Sequence, residues 1–408
     1  MSSRLPRLRS IATGVLAVAV PAALAVAVAA PAASARTHGH DNEFRQTNLV
    51  SDLKTVGAQI VDPNLKNPWG LAFGPTTPLW VADNGTSVAT LYGVSPGGAK
   101  ATQVPLVVTL PPMDSSPTGQ VFNPTNGFKI KSKAGKAPAL FIFSSEGGQI
   151  IAWSPVADPV VNGKSTAQVE FSSRSGAVFK GLTLASTRFG TFLYATDFHN
   201  GRVDVFNSRF HLVHLPGHFR DRHLPRGYAP FGIRAIDGFI YVTYAKQDAD
   251  RKDDVAGPGH GFIDVFTPSG FLVKRLVSRG ALDSPWGLEV APRGFGPFGG
   301  KLLVGNFGNG RIHAYGLFSG RPDGTLRTKN HKPLMIDGLW ALQVGTATTG
   351  GTGTLLFSAG LNDEADGLFG SIATVPEPGT WALTLTGFGL LGAVLRRRSA
   401  ARRAAEAS

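Results

Sequence analysis

Side chains that bind cations or transfer protons recur in short turns directly after apolar runs of the sequence. The candidates for such a role are Asp83, Asn84, Asp197, His199, Asn306 and Asn362. Carboxylate and amide oxygens are the ligands that Ca²⁺ prefers, and it takes six to eight of them. If the fold brings these turns together, the sequence predicts a polar rim that fits Ca²⁺. No other cofactor is indicated.

The turn at 362–367 carries the densest group of acids. Asp363, Glu364 and Asp366 lie within four residues of one another, and like charges this close repel unless a cation or an arginine compensates. We therefore predict these three acids as metal ligands, although they lack the EF-hand spacing. Asp, Asn and Gly are also the residues that tight turns require, so a structural role is the alternative at each position.

Catalytic motifs are missing from the sequence. It contains no H-E-x-x-H and no P-loop, and it has no G-x-S-x-G or G-x-G-x-x-G between a predicted strand and a predicted helix. Asp197 and His199 have the spacing of a carboxylate that orients a general base, but a turn hydrogen bond is the simpler interpretation. We therefore predict no catalytic residue and favour a protein that is not an enzyme.

The polar turns recur because the chain repeats. Six units of about fifty residues open on a small residue, and the aligned positions are Gly70, Gly127, Gly181, Gly232, Gly287 and Ala341. Each unit continues with an apolar strand, a polar turn and an alternating strand. A weaker fourth strand follows in most units, and 332–336 is the candidate in the fifth. A fixed period of this length is typical of a propeller.

The pattern predicts an all-β fold, a six-bladed β-propeller of four-stranded blades over residues 46–374. The sixth unit lacks a fourth strand, and we expect 46–52 to supply it and close the ring. In a propeller, the turns before the innermost strand and after the second strand emerge at one rim. This rule adds further candidates, among them Asn67, Asn126, Glu146, Lys180, Asp253 and Asp254. Trp69, Trp286 and Trp340 open three units, and packing between blades is favoured over sugar stacking, as it is for Trp80 and Trp153.

Residues 1–35 have the features of a secretory signal peptide. Arg4, Arg7 and Arg9 precede an apolar, alanine-rich run, and the small residues at 33–35 predict cleavage after Ala35. The Sec translocon is the expected route, and an N-terminal membrane anchor is the alternative. Residues 36–45 are polar, and we expect them to be flexible. His38 and His40 in this segment are a weak candidate for a metal-binding pair.

The C-terminal segment combines three ordered features. Pro376, Glu377 and Pro378 precede an apolar run at 381–395, which Arg396, Arg397 and Arg398 follow. The apolar run is shorter than the roughly twenty residues of a full membrane span. This arrangement at 375–398 closely resembles the PEP-CTERM sorting signal of Gram-negative bacteria. The resemblance implies a short transmembrane helix, processing by an exosortase, and residence in the cell envelope or outside the cell. A plain C-terminal anchor is the alternative, and the basic tail at 399–408 departs from the usual pattern.

Composition limits the partners. The formal net charge is +13, and the chain has no cysteine, so disulfides and thiol chemistry are excluded. Eight arginines and two glutamates lie in the two terminal signals, so 32 basic and 25 acidic residues, a net charge of +7, remain between them. This excess favours an anionic polysaccharide or another envelope component. The sequence has no basic cluster with interleaved aromatic residues, so we expect no nucleic-acid binding. We expect membrane contact through the C-terminal segment only.

The richest basic segment is 211–226. Its four histidines are His211, His214, His218 and His223. An exposed, pH-dependent positive loop is favoured over a metal site because a proline and a glycine interrupt the histidine spacing.

The repeats themselves resemble a family of uncharacterised bacterial propellers that sometimes carry a PEP-CTERM tail. The resemblance spans about 44–374 and rests on the segments at 67–73, 245–266, 284–292 and 361–372 and on the turn at 83–85. A looser similarity is to NHL-type six-bladed propellers. The family implies fold and location and no chemistry.

The sequence leaves two functions open. The first is an exported binding or scaffold module of unknown ligand, which we favour. The second is a divalent-metal-dependent hydrolase or lactonase with its site at the mouth of the propeller channel. A metal ion held by several blades at the channel axis would favour the second function, and a plugged channel would favour the first.

Overall fold

The computed structural model describes residues 42–375. The predicted signal peptide with Ala35, the segment with His38 and His40, the Pro-Glu-Pro residues, the apolar run, the three arginines and the basic tail lie outside the described residues. Within the described part, no helix is long and apolar enough to cross a membrane.

Six main sheets form the blades in the described residues, and the four strands of each blade pair in antiparallel fashion. A short fifth strand adds to two of these sheets in parallel. The strands in the first half are β1 (Phe44–Ser51), β2 (Ile60–Val61), β3 (Pro68–Ala72), β4 (Leu79–Asp83), β5 (Val88–Val94), β6 (Ala101–Thr109), β7 (Pro117–Phe122), β8 (Lys129–Ser132), β9 (Gly135–Pro138), β10 (Phe141–Ser145), β11 (Gln149–Trp153), β12 (Lys164–Thr166), β13 (Gln168–Ser172) and β14 (Phe179–Thr187).

The remaining strands are β15 (Gly190–Asp197), β16 (Arg202–Phe206), β17 (Leu212–Val213), β18 (Tyr228–Ile236), β19 (Phe239–Lys246), β20 (Gly261–Phe266), β21 (Leu272–Ser278), β22 (Pro285–Val290), β23 (Leu302–Asn306), β24 (Ile312–Tyr315), β25 (Pro322–Thr325), β26 (Leu339–Val344), β27 (Leu355–Gly360) and β28 (Asp366–Thr374). Between residues 42 and 375 the helical segments are one α-helical turn, α1 (Leu361–Glu364), and four 3₁₀ turns at Lys54–Val56, Asn84–Thr86, Pro96–Gly98 and Gly296–Phe298.

The fold is the predicted six-bladed propeller. The innermost strands of blades one to six are β3, β7, β14, β18, β22 and β26. The ring closes through the N-terminal strand, because β1 pairs with β28 as the fourth strand of blade six. This closure confirms the prediction from 46–52, although β1 begins two residues earlier, at Phe44.

Two details of the predicted repeat are wrong. Blade two opens on Gly119 within β7. Gly127 comes after the end of β7 and leads into an inserted hairpin of β8 and β9. The fourth strand of blade five is β25, not 332–336. The outermost strand needs little apolar character, and the polar, exposed β25 follows a tight turn. Leu334 and Ile336 serve the core between blades five and six instead.

Small residues on the innermost strands set the distance between blades. A Cβ on Gly70, Gly119, Gly181, Gly232 or Gly287 would lie 2.1–2.9 Å from a backbone atom of the next blade. A hydroxyl of the second strand links the same positions. Thr243 Oγ1 accepts from the Gly232 N–H at 2.8 Å and donates to the Pro285 carbonyl of blade five at 2.5 Å. Thr196 and Ser358 repeat this link in blades three and six.

Aromatic side chains fill the spaces between blades. Trp80 of blade one stacks on Phe141 and contacts Trp153, both of blade two. All three rings are buried. The predicted role of Trp80 and Trp153 in packing between blades is therefore confirmed, and burial of such rings supplies much of the driving force for the fold.

Candidate functional site

One rim of the ring, here called the upper face, carries the starts of the innermost strands and the ends of the second strands. Side chains from the predicted polar turns meet there around Lys180, the second residue of β14. The group comprises Asn67, Asn84, Glu146, Lys180, Asp253 and Glu364, and we call it the Lys180 site. The structure thus brings together six of the residues that the repeat placed on this rim.

Lys180 is the centre of the site. Its side chain is only 2% exposed, and its Nζ lies 2.5 Å from Glu146 Oε1 and 3.2 Å from Asp253 Oδ1. The same ammonium lies 5.1 Å from the ring centroid of Trp69. A buried ammonium is costly unless charges and hydrogen bonds compensate it. Burial alone would lower the pKa of Lys180, but the two carboxylates raise it above its ordinary value, so Lys180 is charged at neutral pH.

Amide side chains connect this ion pair to the neighbouring blades. Asn84 Nδ2 donates to Glu146 Oε2 at 3.2 Å, and Asn67 Nδ2 donates to Glu364 Oε2 at 2.6 Å. The Trp340 indole N–H donates to Asn67 Oδ1 at 3.0 Å. The resulting network runs from blade six through blades one, two and three to blade four. These hydrogen bonds hold the side chains of the Lys180 site in place at the mouth.

The mouth is closed from below by six aromatic rings, which we call the aromatic plug: Trp69, Phe198, Phe231, Trp286, Phe307 and Trp340. Trp69 and Trp340 stack with centroids 3.4 Å apart, and Trp69 meets Trp286 edge-on at 6.0 Å. Trp340 thus packs against Trp69 and Trp286 of its two neighbouring blades, which confirms the prediction of packing between blades. The contact between Trp69 and Trp286 joins blades that are not neighbours, so the same rings also fill the upper end of the channel.

Below the plug, the channel continues to the opposite rim, the lower face. A cavity of about 50 Å³ lies on the axis, and one of about 340 Å³ lies at the lower mouth. Arg234 lines both, and its guanidinium donates to Glu289 at 2.7 Å and Gln343 at 3.2 Å. Trp69 Nε1, on the plug itself, is buried and has no hydrogen-bond partner in the described part of the chain.

Glu364 reaches the site from a strained turn. Asn362, Asp363 and Glu364 all have positive φ, at 53°, 53° and 68°. Left-handed backbone at non-glycine residues costs free energy and is concentrated at functional sites. Burial raises the pKa of Glu364 to about 7 and that of Asp254, in the neighbouring loop, to about 6. Glu146 differs: burial opposes ionisation, but the Lys180 ammonium lowers its pKa below the ordinary value.

The three predicted metal ligands do not point at one another. Glu364 binds Asn67, Asp366 accepts from Asn362 Nδ2 at 2.8 Å, and Asp363 is exposed. Among residues 42–375, no three His, Cys, Asp or Glu side chains are grouped so that they could hold a metal ion, and this includes the four histidines at 211–223. The cation that pairs with carboxylates at the mouth is the Lys180 ammonium.

The other predicted rim residues have structural contacts. Asp83 is buried and accepts from Thr90 at 2.8 Å. Asp197 accepts from the Asn200 backbone at 3.2 Å, which is the turn hydrogen bond that the sequence favoured, and pairs with Arg202 at 3.3 Å. His199 is half-buried and makes no hydrogen bond to Asp197. Asn306 donates to the Ala281 carbonyl. Of the first six candidates, Asp83, Asn84, Asp197, His199, Asn306 and Asn362, it is therefore Asn84 that belongs to the Lys180 site.

Fold and site together define a six-bladed propeller with a charged network over an aromatic plug, and its C-terminal end carries a sorting signal. Residues 374–398 match the model of the PEP-CTERM protein-sorting motif. This motif indicates export, membrane-associated sorting and processing by an exosortase.

Two proteins of Acanthamoeba polyphaga mimivirus are similar over most of the chain. Uncharacterized protein R648 is 34% identical over 337 residues, which are 79% of this chain and 78% of that protein. Uncharacterized protein L690 is 33% identical, over 79% of this chain and 84% of that protein. The chain belongs to the family that includes them. Among solved structures, virginiamycin B lyase from Staphylococcus aureus aligns with 82% of this chain and 100% of its own at 12% identity and a TM-score of 0.42.

Proposed function

We propose that the protein is an exported binding module that is sorted through its PEP-CTERM signal and takes its ligand at the Lys180 site. The observation that supports this most is the buried Lys180 ammonium, held by carboxylates of two other blades above Trp69. A concave end of a propeller with a few convergent polar groups and perturbed pKa values is the expected place for a ligand.

The place where the described chain ends also supports a ligand site on the upper face. β28 runs from the upper face to the lower face, and beside its end the Val375 N–H donates to the Glu43 carbonyl. The sorting motif begins at residue 374, so the chain continues into it from the lower face. The Lys180 site therefore lies on the face opposite the one at which the described chain leads into the motif.

The chemistry of the site favours a neutral, polyhydroxylated ligand such as a saccharide. An ammonium donates three hydrogen bonds, and Lys180 uses two of them for Glu146 and Asp253. The carboxylates outnumber the ammonium, so an anionic ligand would be repelled. Vicinal hydroxyls of a sugar both donate and accept, and they match a mouth made of carboxylates, amides and one ammonium. The buried, unpartnered indole N–H of Trp69 offers one more donor to a ligand that displaces the covering side chains.

Isothermal titration of the full chain with a panel of neutral oligosaccharides tests this proposal. We expect binding that is lost in Lys180→Met and retained in Lys252→Met, which removes an exposed lysine close to the same mouth. Binding that survives Lys180→Met would place the ligand elsewhere. The absence of any saccharide binding would remove this ligand class.

Hydrolysis at the same mouth is the second candidate function. Glu364 has a pKa of about 7, which is the range in which a carboxyl group can accept and return a proton at neutral pH. Lys180 would then stabilise negative charge that develops on the substrate. Release of product from lactone or ester substrates that Glu364→Gln abolishes would support hydrolysis, and activity equal to that of the unchanged chain would refute this role for Glu364.

The metal-dependent form of the second candidate has its own test. A ligand that binds only the folded state raises stability by RT ln(1 + [L]/Kd), about 2.7 kcal/mol at a hundredfold excess over Kd. The melting temperature of the full chain is measured with EDTA and then with excess Ca²⁺. A rise that is lost in Asp363→Ala/Asp366→Ala would establish the cation site, and identical melting temperatures would exclude it.

A further inference from the structure

A groove runs along the outer wall of the ring between blades two and three, and we call it the lateral groove. It has a lower part of about 540 Å³ and an upper part of about 610 Å³, and Glu170 of β13 lines both. The groove is open because the outermost strand of blade three, β17, is only two residues long. Such a short strand does not cover the side of β13 that faces it.

Positive charge dominates the lower part of the groove and continues into the upper part at one exposed arginine. Lys129, Lys136 and Arg209 line the lower part together with His211, and Arg174 lines the upper part. All four of these lysines and arginines are exposed, and none makes an ion pair with another described residue. Arg202, also in the upper part, is paired with Asp197 and Asp204. The inserted hairpin of β8 and β9 is what brings two of the lysines to this place.

Glu170 is the carboxylate that lies between the two parts. It is half-buried, and burial raises its pKa even though Lys136 and Lys131 oppose this effect. The lower part holds three lysines and arginines against the one carboxylate of Glu170, whereas in the upper part Glu170 and Asp204 balance Arg174 and Arg202. The net positive charge of the groove therefore lies in its lower part, and Arg174 adds an exposed cation at the upper end.

We propose that the lateral groove binds a linear acidic polysaccharide. Carboxylates spaced along such a chain would pair with Lys129, Lys136 and Arg209 at one end and with Arg174 at the other. The concave shape favours an extended polymer, because a flat membrane surface cannot reach the walls of a groove. Aromatic rings on which successive bases could stack are few here, since the two linings contain only the half-buried Phe171 and the imidazole of His211. This site is separate from the Lys180 site and does not depend on the function proposed for it.

The test uses the full chain and polygalacturonate, with its methyl-esterified form as the uncharged comparison. Binding is measured by affinity electrophoresis at low and high salt. We expect binding to polygalacturonate alone, weakened by salt because ion pairs are screened. The affinity of the variant Lys129→Gln/Lys136→Gln/Arg209→Gln should be lower by a factor of about ten or more. The variant Lys54→Gln/Lys100→Gln/Lys329→Gln loses the same charge at exposed sites away from the groove, and its affinity should stay unchanged.

Further measurements decide between partners. Arg174→Gln, at the other end of the groove, should weaken binding independently, which keeps the proposal testable if the triple variant fails to fold. Lys180→Met should bind polygalacturonate as the unchanged chain does, so that failure of one site is distinguished from failure of the other. Equal affinity in the groove variant and the unchanged chain would overturn the proposal, as would equal weakening in the two triple variants. A different outcome is that the chain fails to bind polygalacturonate and binds duplex DNA, or binds anionic vesicles better than zwitterionic ones. If the groove variant loses that binding, the groove is assigned to that partner instead.

Discussion

The Lys180 ammonium of blade three donates to the Glu146 carboxylate of blade two at 2.5 Å, and both groups lie at the mouth of the channel. The pair is nearly buried, with 2% of the Lys180 side chain and 15% of the Glu146 side chain exposed. A buried ion pair adds little net stability over apolar residues of similar size, but removal of one partner leaves a charge without compensation. The two residues are therefore best understood as a unit.

Lys180→Met should lower the free energy of unfolding by about 3 kcal/mol, because Glu146 is left buried without its counter-ion. Urea unfolding of the full chain measures this as a lower midpoint. Lys180→Met/Glu146→Gln is the matched control and should recover part of the loss. A single variant as stable as the unchanged chain would show that the pair is already separated by water.

The position of Lys180 was visible in the sequence, but its role was not. In the six innermost strands, the residue before the aligned small residue is Trp69, Thr118, Lys180, Phe231, Trp286 and Trp340. These side chains point toward the upper end of the axis, and Lys180 is the charged one. The repeat alignment missed this pattern because it placed the second unit on Gly127, and the inserted hairpin displaced that unit from the period.

The number of blades, the closing strand and the shared rim followed from the sequence, because they depend on a period and on strand order. The contacts within the rim did not follow from it. Asp197 and Glu364 occupy equivalent turns and have similar chemistry, yet Asp197 binds its own turn and Glu364 binds Asn67 of another blade. This difference depends on the left-handed backbone at 362–364, which Asn and Asp tolerate but do not require.

Three buried carboxyl groups should make the fold more stable at mildly acidic pH than at neutral pH. Burial raises the pKa of Glu364 to about 7, that of Asp254 to about 6 and that of Asp264 to about 7. Between the ordinary pKa of a carboxyl group and these values, the folded chain binds more protons than the unfolded chain. Stability therefore falls as the pH rises through this window and levels off above about pH 7.

Glu364→Gln removes one of these groups and should reduce the loss of stability between about pH 5 and about pH 8 by roughly 1–2 kcal/mol. Urea midpoints of the full chain at the two pH values give the difference. Asp363→Asn is the control, since this exposed neighbour has a positive φ that asparagine tolerates. A pH dependence that Glu364→Gln leaves unchanged would contradict the assignment.

The hydroxyl links between blades should be individually measurable. Thr243→Val keeps the shape of the side chain but leaves the Gly232 N–H and the Pro285 carbonyl without this partner. Two buried polar groups then lose a hydrogen bond, and we expect a loss of about 2 kcal/mol in the free energy of unfolding. Thr191→Val, whose hydroxyl contacts Ser186 in an exposed position, should change stability little. Equal effects of the two substitutions would mean that the Thr243 link contributes no more to stability than the exposed contact of Thr191.

The spacing between blades four and five should not tolerate a methyl group at position 232. A Cβ on Gly232 would lie 2.1 Å from the Trp286 carbonyl oxygen, and the obstacle is backbone, which cannot rotate away. Gly232→Ala should therefore cost about 4 kcal/mol or more in stability or abolish folding. Gly353→Ala is the control, because nothing lies within 4 Å of the added methyl group there. Soluble yield and melting temperature report the difference, and a Gly232→Ala variant that melts with the unchanged chain would mean that the blades can move apart without cost.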